Sequence, residues 1–350
     1  MLMSFLRKFR FYALFGVFFL IPIVSLNAER MAVLPDILKP EAIAVDCKNI
    51  YITDQHGAFI YSLSDFKLLG KIGRKGEGPS EFPHTPLMQI LSDKIFLYTF
   101  KRMCFYTKSG DLVKEDRSGP MASRVKIVGN NYVVSSHTFE EKIRYYNLID
   151  VYSPNLEKLN TIYKSQGSNF ANTNAASLIV RTYAKNVGNI LLYYCWDNKI
   201  YLVEGKLGFL IKVFDHNGTL LKTIKKDYEK IRIDDEEKKL LLEKLKYNRF
   251  VRKIGWDNIK RAAGKIADKY PKYYPAIKDF NVFDDRIYVK TFKRSGEKEE
   301  FIVLDLNGNE LKRVFLPAAE FGFWTFKKDR FYYLWENEDE EEWELHSEEI

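Results

Sequence analysis

Apolar residues along this chain fall in short runs of four to six, broken by turns rich in Asn, Gly, Ser and Asp, and that rhythm predicts strands. VFDHNGTLLKT at 213–223 returns as VLDLNGNELKR at 303–313. FYTKSGDLVKE (105–115) and VYSPNLEKLNT (151–161) fit the same template, and IYSLSDFKLLGK (60–71) fits it more loosely. The Asn-Gly pairs at 217–218 and 307–308 predict tight hairpins, because both residues tolerate the positive φ of such a turn. A second element occurs six times: NIYIT at 49, KIFLY at 94, NYVVS at 131, KIYLV at 199, RIYVK at 286 and RFYYL at 330. A further apolar run precedes several of these, such as AIAV at 42 and VKIV at 125, so one unit holds about four strands in about 45 residues. The pattern predicts an all-β, six-bladed β-propeller. The last unit, 323–350, is short, and AERMAVLPDI near residue 30 is placed to supply its missing strand.

Two stretches break the rhythm. Between the fourth and fifth blades, Asp234 with Glu237 three residues on forms a capping box, and Leu241, Leu245 and Arg249 follow at helical spacing. Pro271 stops a second helix after Tyr270, so residues 229–276 are expected as a helical insertion within the propeller at 29–350. Residues 166–190, containing QGSNFANTNAAS, are expected as a polar loop. Residues 1–28 carry a basic start (Arg7, Lys8, Arg10) and an apolar run from Phe11 to Leu26, as in an export signal peptide. The expected location is therefore periplasmic, cell-surface or secreted. An uncleaved segment would instead anchor the protein at a membrane.

Composition changes this picture little. Aromatic residues make up 15% of the chain and fit strands buried on both faces. The formal charge of +8 is local: residues 229–275 hold 14 Lys or Arg against 8 Asp or Glu, whereas 336–349 hold nine acids and no Lys or Arg. That distribution speaks against a nucleic-acid partner. Cys47, Cys104 and Cys195 are too few and too scattered for a disulfide framework. A closed ring of this size is expected to be a monomer.

PEAIAVDCKNIYITD (40–54) followed by GRKGEGPSEF (73–82) resembles an NHL-type repeat and the exported bacterial six-bladed β-propellers of uncharacterised function. The resemblance rests on Pro40, Ala44, Val45, Asp46, Ile50, Tyr51, Asp54, Gly76, Gly78, Glu81 and Phe82 and is confined to blade one. It implies a fold more firmly than an activity, since such propellers serve binding, scaffolding and, less often, catalysis.

The chemistry is sparse. GRKGEGPSEF lies between strands, not at a helix start, and meets neither phosphate-loop spacing. Of the five histidines, His56 near Asp54 and His137 beside Ser135 and Ser136 are the nearest to a catalytic pair, and His84, His216 and His346 stand apart. No motif of zinc or triad spacing occurs, so a catalytic residue is not assigned. Two functional readings follow. The first is an exported, non-enzymatic module that binds a protein or glycan without a cofactor. Its surface would be the basic insertion, with Lys246, Arg249, Arg252, Lys253, Trp256, Tyr273 and Tyr274 as contacts. The alternative is a metal-dependent lactonase or esterase, with a divalent ion held in the central channel by Asp46, Asp54, Asp197 and Asp284.

Overall fold

The computed structural model describes residues 29–350 except 56, 141–143, 168–174, 178, 181–186, 188–189, 248, 266–270 and 320–322. Residues 1–28, expected as an export signal, His56 and the helix end expected before Pro271 lie outside the described residues. Six four-stranded antiparallel sheets form the blades. Their innermost strands are Pro40–Val45, Leu87–Ile90, Arg124–Val128, Leu191–Trp196, Asp279–Phe283 and Trp324–Lys327. Each innermost strand touches its counterparts in both neighbouring blades, so the six close a ring around a channel. The chain is an all-β six-bladed propeller, and helices Asp235–Lys244, Arg249–Ile254 and Trp256–Gly264 are inserted between blades four and five. The fold expected from the repeats is the fold observed.

The sixth blade is completed by the N-terminal strand Glu29–Val33, which pairs antiparallel with Glu342–Glu349, Arg30 opposite His346 and Val33 opposite Glu344. The expected closure by AERMAV thus takes place. Apolar side chains from adjacent blades meet in the gaps between sheets. Between blades five and six, Tyr288 stacks on Phe326 with ring centroids 3.9 Å apart, and Phe301, Trp324 and Phe331 surround the pair. Such contacts add about 0.5–1.5 kcal/mol to the simple burial of each ring.

The turns differ from the expectation in a way that explains the repeated hairpin. In VFDHNGTLLKT only Gly218 takes positive φ (84°), and in VLDLNGNELKR only Gly308 does (93°); the preceding Asn does not. The Asp215 carboxylate accepts the amides of Asn217 and Thr219, and Asp305 accepts those of Asn307 and Asn309. Each Asp therefore fixes the turn by a side-chain bond to backbone, the glycine supplies its positive φ, and the register shifts just beyond, at Leu221 and Leu311. Two-residue turns with both φ positive sit elsewhere, between the innermost and second strands, at Asp197-Asn198, Asp284-Asp285 and Lys328-Asp329. They deliver the chain into KIYLV, RIYVK and RFYYL.

The turn glycines also lie flat on the preceding blade. A Cβ on Gly218 would come within 3.0 Å of Ile162 and Val151 of blade three, and one on Gly308 would sit 2.5 Å from Ile224 of blade four. Gly110 is placed similarly against Ile72 and Ile60 of blade one. The GRKGEGPSEF segment links blades one and two. Residues Arg74–Lys75 and Glu81–Phe82 pair in parallel, and Arg102 donates to the carbonyls of Glu77, Gly78 and Glu81. Its amide at Gly78 is taken by Glu81, so the segment is a structural link, as expected from its spacing.

Gly296 has φ +60° with open space around its Cα, whereas Gly308 has both positive φ and the Ile224 contact. Gly296→Ala is expected to cost about 1–2 kcal/mol from backbone strain alone. Gly308→Ala is expected to cost clearly more, read from urea midpoints of the two variants side by side; equal losses would show that the turn does not pack on blade four.

Candidate functional site

The ring encloses a channel of about 1860 Å³, lined by all six innermost strands and by the turns that follow them. Of the four aspartates considered as metal ligands, Asp46 and Asp54 lie at opposite ends of blade one, about 17 Å apart at the rise of a strand. The Asp46 carboxylate accepts the amides of Lys48 and Asn49, the Tyr51 hydroxyl and Lys108 Nζ at 2.9 Å. Burial works against its charge, and these bonds outweigh it, holding the carboxyl below its usual range. Asp54 accepts the amides of Leu38 and Lys39. Asp197 pairs with Lys199 at 2.7 Å, and Asp284 with Lys327 at 2.6 Å and the Lys328 amide. Each aspartate fixes a turn or a chain entry, and among the described residues no three His, Cys, Asp or Glu are grouped to hold a metal ion.

Among the described histidines, the side chains of His137 and His346 are engaged. His137 Nδ1 lies 2.9 Å from Asn147 Oδ1 across the strand pair, its ring stacked on Tyr145, and neither Ser135 nor Ser136 bonds to it. His346 pairs with Glu344 at 2.7 Å, His216 gives its carbonyl to Asn131, and His84 is exposed. Cys104 and Cys195 are buried free thiols, the latter pushed up to about 12 by burial, and Cys47 is exposed at the channel mouth.

The residues that stand out in the channel were not singled out from the sequence. VKIV at 125 reads as an apolar run, yet Arg124 and Lys126 occur two apart on that strand and so face the same way. Both face the innermost strand of blade four: Arg124 lies 5.8 Å from the Tyr193 ring centroid, and Lys126 Nζ lies 4.4 Å from that of Tyr194. Burial lowers the Lys126 ammonium to about 8. Burial likewise raises the carboxyl of Asp279, on blade five, to about 7 against the opposing pull of Lys290 and the Phe280 amide. The Trp324 indole N–H is buried near Asp279 without closing a hydrogen bond of ordinary geometry, and the Thr53 and Thr325 hydroxyls in the channel wall also lack partners among the described residues. The signal available in the sequence was a lysine inside an otherwise apolar strand.

On the ring face where outer strands run to the next blade stands a helical cap. Asp234 caps the helix Asp235–Lys244 with the expected box, its side chain accepting Glu237 N while Glu237 reaches back to Asp234 N. Leu245, Val251, Ile259, Ala262 and Ala263 form a small core of their own. Ala176 and Val180 join it, so the stretch expected as a polar loop contributes a buried helical piece. That differs from the expectation because the apolar partners of Ala176 and Val180 lie some seventy residues downstream. Trp256 packs against this core and Tyr274 stacks on Phe292 at 4.2 Å, whereas Tyr273 is exposed. Lys246, Arg252 and Lys253 are exposed, and Arg249 lies on the helix between them. The root of the insertion is pinned by the Arg232–Tyr273 bridge and by Tyr228 donating to the buried Glu300.

No family model matches the chain. No curated protein matches it either, so the NHL-type resemblance of blade one gains no wider support in sequence. Solved structures do match. The Neurospora crassa Pan2 WD40 domain aligns over 93% of this chain and 96% of its own at 8% identity, with a TM-score of 0.43. The AfRom2 CNH domain aligns over 93% and 99% at 9% identity and 0.40, and a protein of unknown function from Bacteroides caccae over 79% and 81% at 11% and 0.39. These are distant likenesses of fold, and the six-bladed ring rests on the sheet topology itself.

In the unfolded chain Asp279 titrates near 3.8, whereas the folded state keeps its proton to about 7. The folded state therefore binds more protons over that interval, and raising pH from 4 to 7 removes stability. Asp279→Asn is expected to flatten this fall, measured as urea midpoints at pH 5 and 7.5. A wild-type slope unchanged by the substitution would place the titration elsewhere.

Proposed function

We propose that this protein is an exported, non-enzymatic propeller that binds a protein partner through the helical cap on one face of its ring. The carrying observation is the cap itself: three inserted helices and a piece of a second loop build a separate small core on one face, beyond what closing the ring requires. Within it Lys238 and Lys260 are neutralised by Asp235 and Asp257, but Lys246, Lys253 and Lys265 are exposed and have no ion-pair partner among the described residues. That surface suits an acidic protein face, with the rim lysines steering encounter. A closed ring of blades that leaves only short outer edges is a rigid platform for such a cap. Residues 1–28 support delivery to the periplasm or cell surface, and the propellers that blade one resembles include binding modules.

The triple variant Lys246→Glu, Lys253→Glu and Lys265→Glu is expected to keep the fold, because exposed substitutions typically change stability by only about 0.5 kcal/mol. Envelope proteins that cross-link to the wild-type chain should be lost from this variant and weakened by salt. An identical cross-linking pattern would reject the cap as the docking face, and capture of glycan in place of protein would reject the partner class.

A further inference from the structure

Of the other lysines that line the channel, Lys94 pairs with Asp93 at 2.9 Å, Lys108 with Asp46 at 2.9 Å and Lys327 with Asp284 at 2.6 Å, while Lys48 and Lys114 are exposed to solvent. Lys126, deeper in the channel wall, does not. Its Nζ lies over the face of Tyr194, and no carboxylate or hydrogen-bond acceptor among the described residues reaches it. A half-buried ammonium without a partner is costly, and an anion brought into the channel would relieve that cost. The surroundings suit an apolar body attached to that anion. Tyr194 packs edge-on against Phe283 at 5.3 Å, Trp196 does so at 6.0 Å, and all three rings line the channel. Apolar walls with a few converging polar groups are the usual make-up of a small-molecule site.

We propose that the channel holds a small organic anion, a carboxylate or phosphate monoester on an apolar body, with Lys126 as its counter-ion and Tyr194, Trp196 and Phe283 as its wall. The site is separate from the cap and stands or falls independently of it. The groups facing Lys126 are Arg124 on its own strand, Tyr193, Tyr194 and Cys195 on blade four, and Asp279 on blade five. An anion favours the protonated ammonium and the uncharged Asp279 carboxyl. Both forms are lost as pH rises from 6 to 9, so affinity must fall over that range.

The test uses three probes of equal bulk, 2-naphthoate, 2-naphthyl phosphate and the neutral 2-naphthylmethanol, titrated against the chain from residue 29 onward with a fluorophore on the exposed Cys47. At least one anion should bind tenfold or more tightly than the alcohol, weaken from pH 6 to 9, and lose tenfold or more in Lys126→Gln. Lys126→Arg should retain most of the binding. Preference for one anion over the other assigns the headgroup. Equal binding of the alcohol, no saturable binding of either anion, or an unaltered affinity in Lys126→Gln would each overturn the proposal. Lys126→Met, which fills the same volume without charge, replaces the Gln variant if the latter melts early.

Discussion

Everything else in the molecule depends on the pairing of residues near its two ends, Glu29–Val33 with Glu342–Glu349. A propeller blade has two apolar faces and finds cover for both only when a neighbour stands on each side. Without that pairing the sixth sheet would have three strands, and its outer edge would be the eight-residue Glu342–Glu349 in place of the five-residue Glu29–Val33, a longer template for association with another chain. With it, Leu345 is fully buried, and the strand core of blade six merges with that of blade one through Leu34, Ile43 and Tyr332. Closure also sets the channel, because the innermost strands hold their spacing only while all six press on one another.

The repeated hairpin follows from the same geometry. Gly110, Gly218 and Gly308 place a turn against the blade before it, at distances that are tight for a Cβ at Gly110 and leave little or no room for one at Gly218 and Gly308, and side chains such as Asn160, donating to the Gly218 carbonyl, and Lys222, donating to Asn307, tie adjacent blades together. The Asp three residues before each of the last two glycines then serves the turn. For that reason the architecture was readable: the same steric problem recurs at every blade boundary and receives the same local answer. The turn type was not readable from Asn-Gly alone, since the aspartate bond that keeps Asn217 and Asn307 out of positive φ acts through the side chain two residues earlier.

Sites were less legible than elements because they depend on which strands the ring brings face to face. Asp46, Asp197 and Asp284 occur at matching points of their blades, and the regularity suggested convergence; in the fold each opens the turn after an innermost strand, four residues long at Asp46 and two at Asp197 and Asp284, with its carboxylate held by a lysine. Arg124 and Lys126 carried no periodic mark, and their meaning appears only when Tyr193 and Tyr194, about seventy residues later, come to lie against them. The insertion was half legible. Its capping box is a three-residue signal, whereas the contribution of Ala176 and Val180 needed a partner from the far side of blade four.

Charge placement separates structural from functional groups more sharply than charge counting does. Lys290 and Glu299, both nearly inaccessible, face each other at 2.6 Å at the base of the insertion, and Glu300 takes bonds from Tyr228, Thr291 and Arg313. Removing one member of such a set leaves an uncompensated charge in a low-dielectric interior, so these groups are fixed by the fold and are poor candidates for exchange with a ligand. Lys126 has the opposite standing: the channel wall desolvates it, the acid that faces it is the burial-neutralised Asp279, and no carboxylate among the described residues forms an ion pair with it. A fold that pairs its buried ions elsewhere has no packing reason to leave one cation facing an aromatic ring and an open cavity. In the proposed site that cation meets a charge brought from outside the chain.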